Sequence, residues 1–424
     1  RPALVTRLRL SLMALLTGAL SGAGVAVVMG WIGGLSQRLW GDPVLEGLDR
    51  SLPLGWSLLI CGGSGLILSL LHRPGPTTLL PELRDTLSDL RDPDQAPKRD
   101  EARGLLGAAL AQVGGGCIGP EALMSRMAAL VSQRIWRGRD QKLQEATVAG
   151  SLAFFGAPLL GGAVVGEVTH PKNRKQAFLD RWLPGSLGGV AGFAAFNGMG
   201  TASGGSLQRL PYIWPSNLGE DLGSLSAGLL GGLIGCGLGL LFLQWRGWLE
   251  QRQLLAQWPW WPLLTGLLLG ACMHWLPLVP FAGEEQLRPL LEGQNSSEAW
   301  VLLLSSIVKL LMLGLCLETG WRGGVFFPLF LVACALGMGL HLLLPDLGSL
   351  GSWCGALTGA LYRCVLPAPL AVLVLGVALL QGHGTAGLLV GLGMAQLIRR
   401  RAERDGGPPV SYTHLRAHET AYYL

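Results

Sequence analysis

The sequence predicts an all-α polytopic membrane protein with an internal repeat and broken half-helices. Three observations predict it. Charged residues are only 14% of the 424, against about 25% in soluble domains. Uncharged runs long enough to cross a bilayer recur along the chain. Gly and Pro interrupt several of these runs at matching places in two halves. Together these exclude a disordered chain, a disulfide-rich secreted domain and an ordinary soluble enzyme.

A spanning helix needs about 20 apolar residues. Uncharged stretches lie at 10–37, 51–71, 104–120, 146–166, 182–208, 222–245, 253–283, 323–345 and 364–398, with 299–317 broken only by Lys309. None alternates apolar and polar residues, so helices are expected and not barrel strands. The chain divides into N-terminal membrane helices (1–72), a polar connecting loop (73–103), the rest of a first repeat (104–215), a second repeat (216–405) and a tail (406–424). Basic clusters Arg134/Arg137/Arg139, Lys172/Arg174/Lys175 and Arg399/Arg400/Arg401 sit between runs. Such clusters report positive-inside topology and headgroup contact, not nucleic acid. Arg7, Arg9 and the 399–401 cluster place both ends on the cytoplasmic side. The eight Cys lie inside apolar runs without a CxxC pair, which reads as buried side chains and gives no metal site.

The interruptions carry the functional signal. Gly116-Cys117-Ile118-Gly119-Pro120 is followed by Gly156-Ala157-Pro158, and Gly324-Val325-Phe326-Phe327-Pro328 by Pro367-Ala368-Pro369. Broken helices at membrane depth are tolerated where they line a cavity, and matched breaks in two halves mark transport sites. A helix that opens at such a motif has free N–H groups and roughly +0.5 charge at its first turn. Two such tips, at Gly119 and near Phe326, aimed at one point would hold an anion with no Lys or Arg. Taken singly, such a motif reads better as a packing kink.

The motifs in order resemble those of the chloride channel (CLC) family of anion channels and anion/proton antiporters, over about residues 10–405. Gly116-Cys117-Ile118-Gly119-Pro120 is similar to the family's G-[KR]-E-G-P segment. Gly324-Val325-Phe326-Phe327-Pro328 matches its G-x-F-x-P segment. Phe154-Phe155-Gly156-Ala157-Pro158-Leu159 resembles F-N-A-P-L, Pro367-Ala368-Pro369-Leu370 resembles R-A-P-L, and Thr77-Thr78-Leu79-Leu80-Pro81-Glu82 stands where the family has G-S-G-I-P-E. The resemblance implies an inverted repeat, a homodimer with one pore per subunit, and a central anion held by half-helix amides, a Ser hydroxyl and a Tyr hydroxyl. Carried over, the amides are those of Val325 and Phe326, and the Ser becomes Thr78. The surrounding motif residues are Gly116, Ile118, Gly119, Pro120, Gly324, Phe327 and Pro328.

Three departures matter. The family's gating Glu becomes Ile118, which cannot ionise or carry a proton. The second proton-transfer Glu falls on Val168, with Glu167 one step earlier. Glu121, three residues beyond Ile118 and on the same helical face, is either a replacement gate or a carboxylate suited to a helix N-terminus. Ile118 itself is a candidate apolar plug. Third, Ser411-Tyr412-Thr413-His414-Leu415-Arg416-Ala417-His418-Glu419-Thr420 resembles a translated transposase-adapter sequence, so 411–424 is expected to be foreign. Tyr412, nearly in register with the family's pore Tyr, belongs to that stretch.

The expected activity is anion transport as a channel or uncoupled conductor. The alternatives are a chloride/proton antiporter with relocated carboxylates, Glu121 and Glu167, and a non-conducting protein of the same fold. No H-E-x-x-H or G-x-S-x-G occurs, so no enzyme is expected. Expected partners are chloride or a related anion, the lipid bilayer and a second copy. No cofactor or metal is expected. The composition suits a prokaryotic inner membrane.

Overall fold

The computed structural model describes residues 2–47, 52–73, 75–136, 140–167, 174–202, 212–214, 225–292 and 298–404. The first half holds α1 (Pro2–Trp40), α2 (Leu54–Leu71), α3 (Leu83–Arg91), α4 (Glu101–Val113), α5 (Glu121–Ile135), α6 (Gln141–Ser151), α7 (Leu160–Glu167) and α8 (Arg174–Ala202). The second holds α9 (Leu225–Gln251), α10 (Trp261–Trp275), α11 (Glu284–Leu291), α12 (Ala299–Glu318), α13 (Phe326–Leu343), α14 (Leu350–Val365), α15 (Pro369–Leu379) and α16 (Thr385–Arg404). Tyr412 and Val168 lie outside the described residues.

Packing repeats with this eight-helix period. Helix α1 packs on α6 and α8, and α9 packs on α14 and α16. Likewise α5 packs on α6, and α13 on α14. Small residues make the approach possible, as expected where lipid supplies no hydrophobic drive between helices. A side chain on Gly18 would overlap the Gly188 backbone, and one on Gly192 the Gly150 backbone, in the α1–α6–α8 contact. Gly355 and Gly359 stand in the same relation to the backbone of Gly384 and Leu388 in the α14–α16 contact.

Five helices among the described residues are long and apolar enough to cross a membrane by themselves. The other uncharged runs are cut short. Run 104–120 ends its helix at Val113, and run 146–166 is split by a 3-10 turn at Leu152–Phe155. Gly156, at φ 67°, ends that turn in the left-handed region that favours glycine. Gly and Pro therefore convert runs of spanning length into half-helices.

The polar stretch 73–103 is partly helical. Helix α3 opens with a capping box between Glu82 and Asp85 and buries Leu83, Leu87 and Leu90. Its charges are paired across the fold. Asp89 accepts from Arg99 and from Arg126 of α5, and Arg126 also reaches Glu101. Arg91 meets Glu145 of α6 at 2.8 Å. Between the halves, Arg246 of α9 bonds Glu318 at 2.7 Å and also reaches Glu82. Such pairing offsets the cost of burying these charges.

Candidate functional site

Helix α5 opens directly after Pro120, where a missing N–H is no loss, and α13 opens at Phe326. Just ahead of these openings the two halves join backbone to backbone. The Gly119 N–H donates to the Gly324 carbonyl at 2.8 Å, and the Gly324 N–H donates back to the Gly119 carbonyl at 2.7 Å. This isolated antiparallel bridge sets the first turns of α5 and α13 side by side.

Glu121 crosses that junction. Its Oε1 accepts from the Phe326 N–H at 2.7 Å, and its Oε2 is buried with no hydrogen-bond partner. The residue is 2% exposed. A helix N-terminus attracts anions through its unpaired N–H groups and its dipole. The carboxylate of α5 thus sits at the N-terminal tip of α13. Gly324 leaves the room for it: a Cβ there would overlap the carboxylate, and a Cβ on Gly119 would also strike it.

Gly116 shapes the approach. Its N–H donates to Ala111, and the Ile118 N–H donates to the Gly116 carbonyl at 2.9 Å. Ile118 is buried, and a Cβ on Gly323 would press on its side chain. Ile118 therefore packs against the loop of the other half. Phe326 and Phe327 lie against Phe155 with ring centroids 5.2 and 4.9 Å away, and Phe327 also meets Phe154 at 6.3 Å. Pro328 and Val325 are buried in the same wall. The F-F-G-A-P segment and the start of α13 are thus one aromatic cluster.

Thr78 is buried on the Pro76–Thr78 turn ahead of α3. Its hydroxyl donates to the Gly75 carbonyl at 2.8 Å and lies 3.0 Å from His72 Nδ1. The other ring nitrogen of His72 lies 3.1 Å from the Gly320 carbonyl. Arg322 approaches Glu82 at 3.9 Å. Both contacts hold the Thr78 segment to the loop that leads into α13. Glu167 is placed differently. Its two oxygens accept from the Leu370 and Ala371 N–H groups, each at 2.8 Å. It caps the first turn of α15 and ties the halves together there.

Three further residues build the site without being marked by a motif. Tyr362 of α14 donates to the Phe326 carbonyl at 2.6 Å and is fully buried. Lys309 of α12 donates to the carbonyls of Leu278, Val279, Pro280 and Phe281 at 2.9–3.2 Å. His72 closes the Thr78 turn. A single charge inside the 299–317 run was the legible signal for Lys309. Tyr362 and His72 gave none, because each bonds a backbone carbonyl distant in sequence. No group of His, Cys, Asp and Glu among the described residues could hold a metal.

Residues 63–400 match the family model for the voltage gated chloride channel. No curated protein matches the chain. Solved structures share the architecture. A slow cyanobacterial Cl−/H+ antiporter is 23% identical, with 95% of this chain and 96% of that one covered and a TM-score of 0.72. A CLC-type fluoride/proton antiporter is 18% identical, with coverage of 96% and 97% and a TM-score of 0.72. A eukaryotic CLC transporter is 19% identical, with coverage of 94% and 72% and a TM-score of 0.66.

Proposed function

This integral membrane chain belongs to the voltage gated chloride channel (CLC) family, an anion-transport family, and from that premise we propose that it is a channel or uncoupled conductor of chloride or a similar anion, with the Glu121 carboxylate as its removable stand-in for the ion. The observation that carries this reading is the Glu121–Phe326 bond at 2.7 Å, made across the Gly119–Gly324 junction. An anion that displaces the carboxylate meets the N–H of Phe326 and the positive end of α13, without a cation to trap it. Weak, desolvated amide donors suit a site that must also release its ion. Ile118 stands where the family carries its gating Glu, and Glu121 supplies that carboxylate from one turn further on.

Uncoupled movement follows from the second proton step. Val168 stands at the position of the inner proton-transfer Glu, and Glu167 has both oxygens committed to α15. A second reading, anion/proton antiport, is favoured by Glu121 itself, since protonation is the simplest way to release a buried carboxylate, and two of the similar structures are antiporters. On this reading Glu121 carries the proton and no fixed inner carboxylate follows it. The functional unit is a homodimer with one path per subunit, in a prokaryotic inner membrane, without cofactor or catalytic chemistry.

Chloride flux from proteoliposomes with a simultaneous proton readout tests this. Flux without proton movement is expected. Proton pumping driven by a chloride gradient at fixed stoichiometry would overturn uncoupled conduction in favour of antiport. The absence of flux for any halide or nitrate would leave the non-conducting alternative.

A further inference from the structure

The His72 ring sits in a built slot. A Cβ on Gly107 of α4 would stand 3.1 Å from its Cε1, and one on Gly320 would stand 3.0 Å from its Cδ2. Two side-chain-free positions, one from each half, therefore clasp the imidazole. The residue is 6% exposed.

The slot fixes the proton pattern. A carbonyl oxygen only accepts, so the nitrogen facing Gly320 must be the N–H. In the neutral ring Nδ1 is then bare and can only accept from Thr78. The Thr78 hydroxyl has one proton and two acceptors around it, Nδ1 at 3.0 Å and the Gly75 carbonyl at 2.8 Å. With either choice the proton is spent inside the turn. Thr78 then shows lone pairs, which repel an anion. A second proton on Nδ1 reverses the polarity: the ring donates to Thr78 Oγ1, and the hydroxyl proton has only Gly75 to hold it. An arriving anion can compete with one neutral carbonyl, because hydrogen bonds to charged groups are the stronger kind.

We propose that His72 is the positioning residue of the anion path, holding the Thr78 hydroxyl proton away from the ion in its neutral form and freeing it as an anion donor when the ring takes a second proton. The inference rests on the conduction reading above, extended to Thr78, which stands where the resemblance puts the family's ion-binding Ser. The charged groups around the ring all disfavour a second positive charge or are already paired. Arg73 adjoins it in sequence, Arg103 lies one turn before Gly107 on α4, and Arg322 follows Gly320 in the loop, with Glu82 held by Arg246 and Arg322. Burial pushes the ring's pKa down from 6.5 to about 4, the Gly320 bond opposes this, and Arg322 adds to the lowering. The donor state thus belongs to acid conditions, and bound anion favours it by linkage.

The test is chloride uptake into proteoliposomes at symmetric pH, from about pH 7.5 down to about pH 4.5. Every variant carries Glu121→Gln, so that the carboxylate plug does not titrate. With His72 present, the apparent chloride affinity is expected to strengthen about threefold by about pH 4.5, where a ring with a pKa of about 4 is only partly protonated, on the way to the roughly tenfold value of one charge-assisted hydrogen bond. His72→Gln keeps a donor for Gly320 and an acceptor for Thr78 but cannot take the extra proton, so the acid gain is expected to vanish. Thr78→Val, which lacks the hydroxyl, is expected to lose the same gain. A melting curve for each variant reports that the fold is intact. An acid gain that survives in either folded variant overturns the role of His72 and leaves conduction standing. Absence of flux at every pH overturns both.

Discussion

The Glu121 carboxylate and the Phe326 amide lie 205 positions apart in sequence and 2.7 Å apart in space. They belong to opposite halves of the repeat, and the Gly119–Gly324 bridge sets the distance between them. A helix in one half thus ends the electrostatic imbalance of a helix in the other. The first prediction follows from that contact. A charge-assisted hydrogen bond contributes about 1.5–3 kcal/mol, which an incoming anion must replace. Glu121→Gln and Glu121→Ala are therefore expected to raise chloride flux about tenfold or more, with Ala the larger effect because it also empties the volume. Radiotracer or electrode flux from proteoliposomes measures this. Unchanged flux in both variants would mean that the carboxylate is a cap and not a plug.

Gly324→Ala probes the same contact from the other side. The added Cβ overlaps the carboxylate, so Glu121 must leave the tip of α13. Overpacking of a buried site costs about 1–3 kcal/mol. The expected phenotype is a lower melting temperature together with flux at least equal to that of Glu121→Gln. A less stable protein with wild-type flux would show that the carboxylate can yield without opening the path.

The fold was legible in the sequence where composition speaks: few charges, long uncharged runs and paired Gly/Pro breaks dictate helices in lipid and their interruption. The breaks at Gly116–Pro120 and Gly324–Pro328 located the junction, because only such residues allow two helix starts to meet. Their register was not legible. Pro120 precedes its helix while Pro328 lies inside the first turn of α13, so lining up the prolines sets Ile118 against Phe326. In space it is Glu121 that meets Phe326. Side-chain reach across the junction decides this, and no linear spacing encodes it. Tyr362 and His72 were silent because each bonds a carbonyl that only the fold brings near, Phe326 and Gly320.

Ile118 separates two explanations of a closed path. It is 1% exposed and pressed against Gly323. Ile118→Ala leaves a cavity, and such truncations cost about 2–5 kcal/mol. With Glu121 as the plug, the variant is expected to melt earlier while its flux per folded molecule changes less than twofold. A large rise in flux would instead make Ile118 the barrier.

Glu167→Gln tests the other relocated carboxylate. Glu167 accepts two N–H groups at the start of α15. An amide has one acceptor oxygen, and its NH2 faces the second donor. The expected loss is about 1–3 kcal/mol of stability, read as a lower melting temperature in detergent. Anion flux and the absence of proton movement are expected to persist. A change in proton coupling would place Glu167 on a proton route.

Lys309 tests how the outer loop reaches the junction. Its ammonium is fully buried and donates to four consecutive carbonyls, Leu278 to Phe281. These groups precede α11, and of the four the Pro280 carbonyl also accepts from Gln286 Nε2 at 3.1 Å. The same loop touches the first half, since the Phe281 N–H donates to the Gly115 carbonyl at 3.2 Å. Gly115, at φ 93°, begins the turn that delivers Ile118 and Glu121. Cys117 Sγ also bonds the Lys309 carbonyl at 3.6 Å. Lys309→Met keeps the stem and removes every donor, leaving carbonyls unpaired where each costs about 1–3 kcal/mol. A loss of about 3 kcal/mol or more is therefore expected, with the remaining folded protein conducting less, as the Gly115 turn loses its anchor. Lys309→Gln can keep two of the bonds through its NH2 and is expected to fall between Met and the wild type. Melting curves and flux on the same preparations check both. If Lys309→Met melts with the wild type, the loop is held by α11 packing, and the ammonium cage carries no part of the junction's geometry.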